Sequence, residues 1–304
     1  MPEETFFICI AQSALVRYQF AYSNIGIMKS GRVSQTALKI GFIIIAVNEK
    51  LEWKSRLPQG LAELTERLIL AAGVFGYGRR MIILNKKPWA IRLYEYSETK
   101  TPGTFEGIGE RKIFMDEQVL AAIEAGSKQV LVMGAGFDTL CLRLAPQFPQ
   151  VEFFEVDHPA TSAAKAKGVT QEGQPENMTL LAADLNEIPL SVLMKKARRW
   201  DTSAQSIVVA EGLFIYLKEE VVLQVFREVA ACTGQSTRVA FSHGIRIKKY
   251  RFANAMLRLI GEPWLSSCTS ADLPGYIGPG WSVIATQGAD SKHRLEAFAV
   301  AEKR

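Results

Sequence analysis

Cysteine and histidine are scarce in this 304-residue chain, with four of the first and three of the second. Cys9, Cys141, Cys232 and Cys268 share no CxxC or other metal-type spacing. That pattern excludes a disulfide-stapled secreted framework and fits reduced thiols in the cytoplasm. His158, His243 and His293 are not paired at helical spacing, so a histidine-rich site has little material and no metal is expected. Prolines number only 12, with 22% charged and 48% apolar residues, which excludes a disordered or collagen-like chain. Long apolar runs are missing too. Ile40–Val47 and Leu68–Tyr77 reach about half of the roughly 20 residues that span a bilayer, and both read as buried helix. The start of the chain has Glu3 and Glu4 before a short apolar run, Phe6–Ala11, whereas a signal peptide has a basic start and a longer apolar segment.

A strong charge of one sign is also absent. The net charge is +5, there is no basic tail, and no nucleic-acid partner is expected. One local excess stands out: Arg79, Arg80, Lys86, Lys87 and Arg92 follow one another with no acid between them. It reads either as a solvated helix face or turn, or as a place to meet phosphate or an anionic membrane surface.

Two rhythms divide the chain. Up to about residue 125 the apolar spacing is helical. Ser34 caps a helix through Leu38, Phe42, Ile45 and Leu51, and another starts after Pro58 and fades at Gly73. Residues 97–109 read as turn-rich, and a further helix is expected over 110–125. Beyond it, short apolar runs alternate with helical segments. Candidate strands are 129–133, 151–156, 178–182, 206–210 and 238–242, the signature of a parallel α/β sheet. Two last runs, 282–286 and 294–301, leave no room for a crossover helix, so they should pair antiparallel at the sheet edge. The division expected is 1–125 for a tail and helical cap and 126–304 for the ligand-binding domain.

The strongest motif is Val130-Leu-Val-Met-Gly134-Ala-Gly136-Phe-Asp138-Thr139, a buried strand entering a glycine turn and then a helix. Gly134 and Gly136 let the backbone turn tightly and approach a ligand. A dinucleotide site would place a pyrophosphate at this helix N-terminus, and the carboxylate of Asp138 would repel it. The same carboxylate suits a ligand with an ammonium group and no phosphate, and S-adenosylmethionine is such a ligand. The second strand ends in Glu155 and Asp157, both able to accept ribose hydroxyls, with Asp157 nearer the strand end. Asp184 and the backbone of Leu185 follow the third strand, where an adenine would lie, and Glu211-Gly212 follow the fourth.

Together GAGFDT, FEVDHP with Lys165, AADL and AEGLFIYL resemble the leucine carboxyl methyltransferase family and its bacterial S-adenosylmethionine-dependent O-methyltransferase branch. The resemblance spans roughly residues 107 to 217. It implies a class I methyltransferase (Rossmann-like) fold, a seven-stranded sheet with an antiparallel last strand and a helical N-terminal cap. It further implies Gly134 at the methionine end of the donor, Asp157 on the ribose, Asp184 and Leu185 on the adenine, and Glu211 near the methionine tail. An arginine before the first strand binds the donor carboxylate in the family; Arg111 is the best match here, with Lys112 adjacent.

The expected acceptor is a carboxylate or hydroxyl of a small molecule or peptide, the protein being a monomer or weak dimer. A carboxylate needs no base, whereas a hydroxyl would be helped by one, and His243 at the end of the fifth strand is the candidate. Lys165, Tyr216 and Arg246 are further candidates. An NAD(P)-dependent oxidoreductase and a donor-binding module without chemistry are the alternatives. The segment 247–277, with Tyr250, Phe252, Met256, Leu257, Ile260, Pro263 and Trp264, is expected to cover the acceptor, with Arg246 or Arg251 available to an anion. Residues 1–27 match no motif, and Met28 is the expected working start.

Overall fold

A computed structural model describes residues 33–73, 78–100, 102–246, 264–288 and 294–304. The expectations for the tail 1–27, for Met28, for Arg251 and for 247–263 of the covering segment lie outside these residues.

Seven strands form one sheet: β1 (Gln129–Met133), β2 (Glu152–Asp157), β3 (Met178–Ala182), β4 (Ser206–Ala210), β5 (Arg238–Gly244), β6 (Trp281–Gln287) and β7 (Glu296–Lys303). Their order is β3-β2-β1-β4-β5-β7-β6. The first five are parallel, and β7 runs antiparallel between β5 and β6. β6, not the chain's last strand, thus occupies the edge. Both β1 and β4 are buried along their whole length, because helices cover both faces of the sheet. Alternation of side chains divides the core in two. Val130, Val132, Phe153, Ile207 and Val209 face one side, while Leu131, Met133, Phe154, Val156 and Val208 face the other.

The cap is helical: α1 (Gln35–Asn48), α2 (Leu51–Lys54), α3 (Leu61–Ala72), α4 (Gly78–Asn85), α5 (Pro88–Lys100) and α6 (Glu106–Glu124). Within the sheet region follow α7 (Leu140–Leu144), α8 (Pro159–Glu172), α9 (Leu190–Lys196), α10 (Glu219–Ala231) and α11 (Leu273–Ile277). Ser34 does cap α1, its hydroxyl accepting the Ala37 N–H at 3.2 Å. Leu38, Phe42 and Ile45 of α1 share one core with Val130 and Val132, so part of the cap is packed onto the same face as the sheet helices.

The turn-rich reading of 97–109 is corrected. Helix α5 continues through Lys100 and α6 begins at Glu106. The reason is local: one side chain, Glu98, accepts the N–H groups of Gly103 at 2.5 Å and Phe105 at 2.7 Å, satisfying the donors that a longer turn would leave open. Gly109 is a helical residue that makes room, since a Cβ there would lie 2.7 Å from the ring of Trp53.

Candidate functional site

In a parallel sheet the strand C-termini form the edge where ligands sit, next to the point at which the strand order reverses. Here that point lies between β1 and β4. The chain leaves β1 through Gly134 and Gly136, with φ of +62° and +47°, values that only glycine adopts without strain. The N–H of Gly134 donates to Val156 O at 2.8 Å. The N–H of Gly136 donates to the Asp157 carboxylate at 2.5 Å, and the other oxygen of Asp157 accepts the His158 N–H at 2.6 Å. Asp157 therefore holds the glycine turn against the end of β2. Burial raises its pKa, with the two N–H bonds opposing that shift. Helix α1 lies on the turn, and a Cβ at Gly136 would meet that of Ala37 at 2.8 Å.

Asp138 sits at the head of α7, where one oxygen accepts the Leu140 N–H at 2.6 Å. Its other oxygen pairs with Lys112 of α6. From there a buried chain of charges continues. Lys112 reaches Glu211 at 2.9 Å; Arg111 donates to Glu211 at 3.0 Å and to Glu296 at 2.8 Å. Burial opposes ionisation of Asp138, yet Lys112 and Lys165 more than offset it and hold this carboxyl below the usual range. Burial likewise disfavours the charged Lys112, but Asp138 and Glu211 together raise its pKa. Two buried oxygens of the cluster, Glu211 Oε2 and Glu296 Oε1, have no hydrogen-bond partner among the described residues. Gly212 lies directly under the Arg111 guanidinium, 3.3 Å from where its Cβ would be, and its N–H is held by Ser242 Oγ at 2.8 Å.

The structure thus brings Arg111, Gly134, Gly136, Asp138, Asp157 and Glu211 to one edge. Asp184 stands beside Asp157, since the Ala183 N–H donates to Asp157 O at 3.0 Å. Its carboxylate accepts both nitrogens of Asn186, at 2.9 and 2.8 Å, and lies 4.0 Å from His158 Nε2. Leu185 packs against the core on the α9 side. Glu155 and Asp157 part company: Glu155 is buried in an ion pair with Lys165 at 2.5 Å through Oε2, while its Oε1 has no hydrogen-bond partner among the described residues.

His243 is fully buried, its Nδ1 3.2 Å from Gly244 O and 3.2 Å from the Cys268 sulfur, while Nε2 has no partner among the described residues. Burial lowers its pKa. Tyr216 lies in a 3₁₀ turn after β4, and Trp264 is half-buried. The expectation that Arg246 is available to an anion is corrected: its guanidinium is already held by Asp272 at 3.2 Å, Glu219 at 3.3 Å and Ser267 O at 2.8 Å. Cys141, Cys232 and Cys268 are buried free thiols. Among the described residues no group of three potential ligands could hold a metal ion, and no helix is long and apolar enough to cross a membrane.

Sequence reasoning missed Glu296 and gave Lys112 no role. Because β7 is antiparallel, its first residue, paired with Gly244, falls on the edge where the parallel strands end. An acid opening the apolar run Ala297–Ala301 was the available signal. Arg143 was missed as well; it clamps Asp116 of α6 through two bonds, at 2.5 and 2.8 Å, bracing α7 from behind.

Comparison with known proteins follows the same outline. The sequence pattern of the family described as "Leucine carboxyl methyltransferase" matches residues 61–230. A protein of Streptomyces coelicolor named "Putative S-adenosyl-L-methionine-dependent methyltransferase" is 31% identical over 199 residues, covering 64% of this chain and 66% of that protein. The chain thus spans just under two thirds of the length of this curated relative. Among solved structures, a DUF574 family protein from Streptomyces avermitilis aligns with a TM-score of 0.57 at 16% identity, over 79% of this chain and 96% of that one. A crystal structure titled as a putative methyltransferase from Thermobifida fusca aligns with a TM-score of 0.56 at 18% identity, over 79% and 94%. These two likenesses establish a shared fold.

Proposed function

We propose that this chain, which belongs to the leucine carboxyl methyltransferase family, is an S-adenosylmethionine-dependent O-methyltransferase acting on a carboxylate or hydroxyl of a small molecule or peptide. The observation that carries the reading is the buried charge chain at the C-terminal edge of the sheet. It sets three carboxyl groups, Asp138, Glu211 and Glu296, against two cations, Arg111 and Lys112. A formal surplus of one negative charge complements a donor that carries an ammonium, a sulfonium and a single carboxylate. The two unpartnered oxygens of Glu211 and Glu296 suit an ammonium group, and the Arg111 guanidinium suits the carboxylate.

When bound, the donor supplies a methyl group on a positively charged sulfur, open to in-line displacement. The chain's own residues do the rest. Asp157 has lone pairs left over for ribose hydroxyls, since each oxygen accepts one backbone N–H. Asp184 and the Leu185 backbone are the groups for adenine. Helix α1, seated on Gly136, excludes water from the turn. Alignment of this kind accounts for much of the acceleration in a displacement. The full burial of His243 favours a carboxylate acceptor, already ionised at neutral pH, over a hydroxyl that needs a base.

The geometry disfavours a dinucleotide. The helix N-terminus that would bind pyrophosphate is already engaged by the Asp138 carboxylate. Isothermal titration separates the readings: S-adenosylhomocysteine should bind in the micromolar range and NAD should not. Binding of NAD alone would overturn the proposal. Formation of S-adenosylhomocysteine from the donor in an acceptor screen distinguishes an enzyme from a module that only binds.

A further inference from the structure

Helix α4 is buried on one side through Met81, Ile82 and Asn85 and exposed on the other. That outer side carries Arg79 and Arg80, then Ile83 and Leu84 at spacings of three and four, and Lys87 just beyond the helix. A second exposed row follows on α5, with Trp89, Arg92 and Tyr96. Trp89 is 55% exposed, Ile83 50% and Tyr96 49%. A face that serves only to be solvated carries polar residues at such positions. Here large apolar and aromatic side chains alternate with cations.

The cations are also unanswered. Among the described residues, Arg79, Arg80, Lys87 and Arg92 form no ion pair, in contrast to Lys86, which is held by Glu66 at 2.5 Å. The acids of α5 are turned to other work: Glu95 pairs with Lys50 at 3.1 Å, and Glu98 receives the backbone of the following turn. The face is thus both apolar and net positive.

We propose that the outer face of α4 and α5 docks on the surface of an anionic lipid bilayer. Tryptophan and tyrosine have an apolar body and a polar edge, which suits them to the headgroup boundary. Cations among apolar residues on a short helical face are the composition of peripheral membrane segments. A second copy of the chain is a poor occupant, because a two-fold contact would lay the same four cations against themselves. Among the described residues no ion pair links this surface to the charge cluster of the donor site, and the proposal does not depend on the activity proposed above.

Co-sedimentation of the full-length protein with vesicles tests it. With vesicles containing phosphatidylglycerol the protein should pellet at low salt, and with phosphatidylcholine alone it should stay in the supernatant. Raising the salt should release it, because the Debye length falls from ~10 Å at 0.1 M to ~3 Å at 1 M. R79S/R80S should weaken partition by about twenty-fivefold, or about fivefold per charge. W89S should weaken it while lowering the melting temperature only slightly, since more than half of the side chain is already exposed. Binding that is equal on both vesicle types, absent from both, or unchanged in R79S/R80S would overturn the proposal. So would a dimer in light scattering that W89S dissolves while vesicle binding persists.

Discussion

Arg111, on the helix that precedes the first strand, donates to Glu296 at 2.8 Å, although 185 residues separate the two. The bond fixes one end of the guanidinium while Glu211 holds the other. Glu296 therefore positions Arg111 through one oxygen, besides offering the other to the donor's ammonium. Glu296→Gln should weaken S-adenosylhomocysteine binding by about tenfold, in the range of residues that orient a ligating group. Glu296→Asp should recover part of the loss, and titration calorimetry reads both. Unchanged affinity in Glu296→Gln would mean that Glu211 alone holds Arg111 and the ammonium.

Asp157 has two tasks, since it holds the Gly136 N–H and is the proposed acceptor for the ribose. Asp157→Ala removes both. A hydrogen bond to a charged group is worth about 1.5–3 kcal/mol, so ligand affinity should fall at least tenfold and the melting temperature should fall with it. Asp157→Asn separates the tasks, because the amide oxygen can still accept from Gly136. Its amide nitrogen then faces the His158 N–H that the second carboxylate oxygen accepts in the parent, so the variant should melt between the parent and Asp157→Ala and still bind poorly. If it binds as the parent does, Asp157 serves the turn and not the ligand.

The parts of the site that were readable from sequence are those in which the chemistry is local. Gly134, Gly136 and Asp138 lie within one turn, and Asp157 closes the very next strand, so a strand followed by a glycine turn places all four. The strand pattern was legible for the same reason, with β1, β3 and β4 found at their observed limits. The rest depends on topology. Glu296 reaches Arg111 only because β7 inserts antiparallel beside β5, and no spacing in the sequence expresses that insertion. Arg246 was misjudged similarly, since Glu219 and Asp272 come to it from two different segments. The glycines near residue 107 misled in another way, by serving close helix packing where a turn was read.

Among the described residues Lys112 is the only cation paired with Asp138, and it also pairs with Glu211. Lys112→Met leaves two buried carboxylates short of a partner. Breaking a buried pair from one side costs about 3–5 kcal/mol, so a marked fall in the denaturation midpoint is expected. The double variant Lys112→Met/Asp138→Asn removes one of the stranded charges and should regain part of that loss. A single variant as stable as the parent would show that solvent reaches the cluster and screens it.

His243 ties stability to pH. Burial depresses its pKa below the ordinary value of 6.5, so the folded protein keeps the ring neutral where the unfolded chain takes up a proton. Between the two pKa values the unfolded state binds more protons, and stability rises with pH. Its contribution is therefore complete above about pH 6.5 and is lost as pH falls through the window between 6.5 and the depressed value. Asp157 and Glu155, whose pKa values burial raises, act with the opposite sign, gaining proton-linked stability as the solution becomes more acidic. A comparison with a variant is thus needed to isolate the histidine. The melting temperature of the parent should drop more steeply than that of His243→Asn between pH 7.5 and 5.5, about 2–4 °C for each kcal/mol of difference. The absolute melting temperature of the variant does not matter to the argument, because the slope alone carries the proton. Parallel slopes would mean that His243 takes up its proton equally in the folded and unfolded chains, and that its burial does not tie stability to pH.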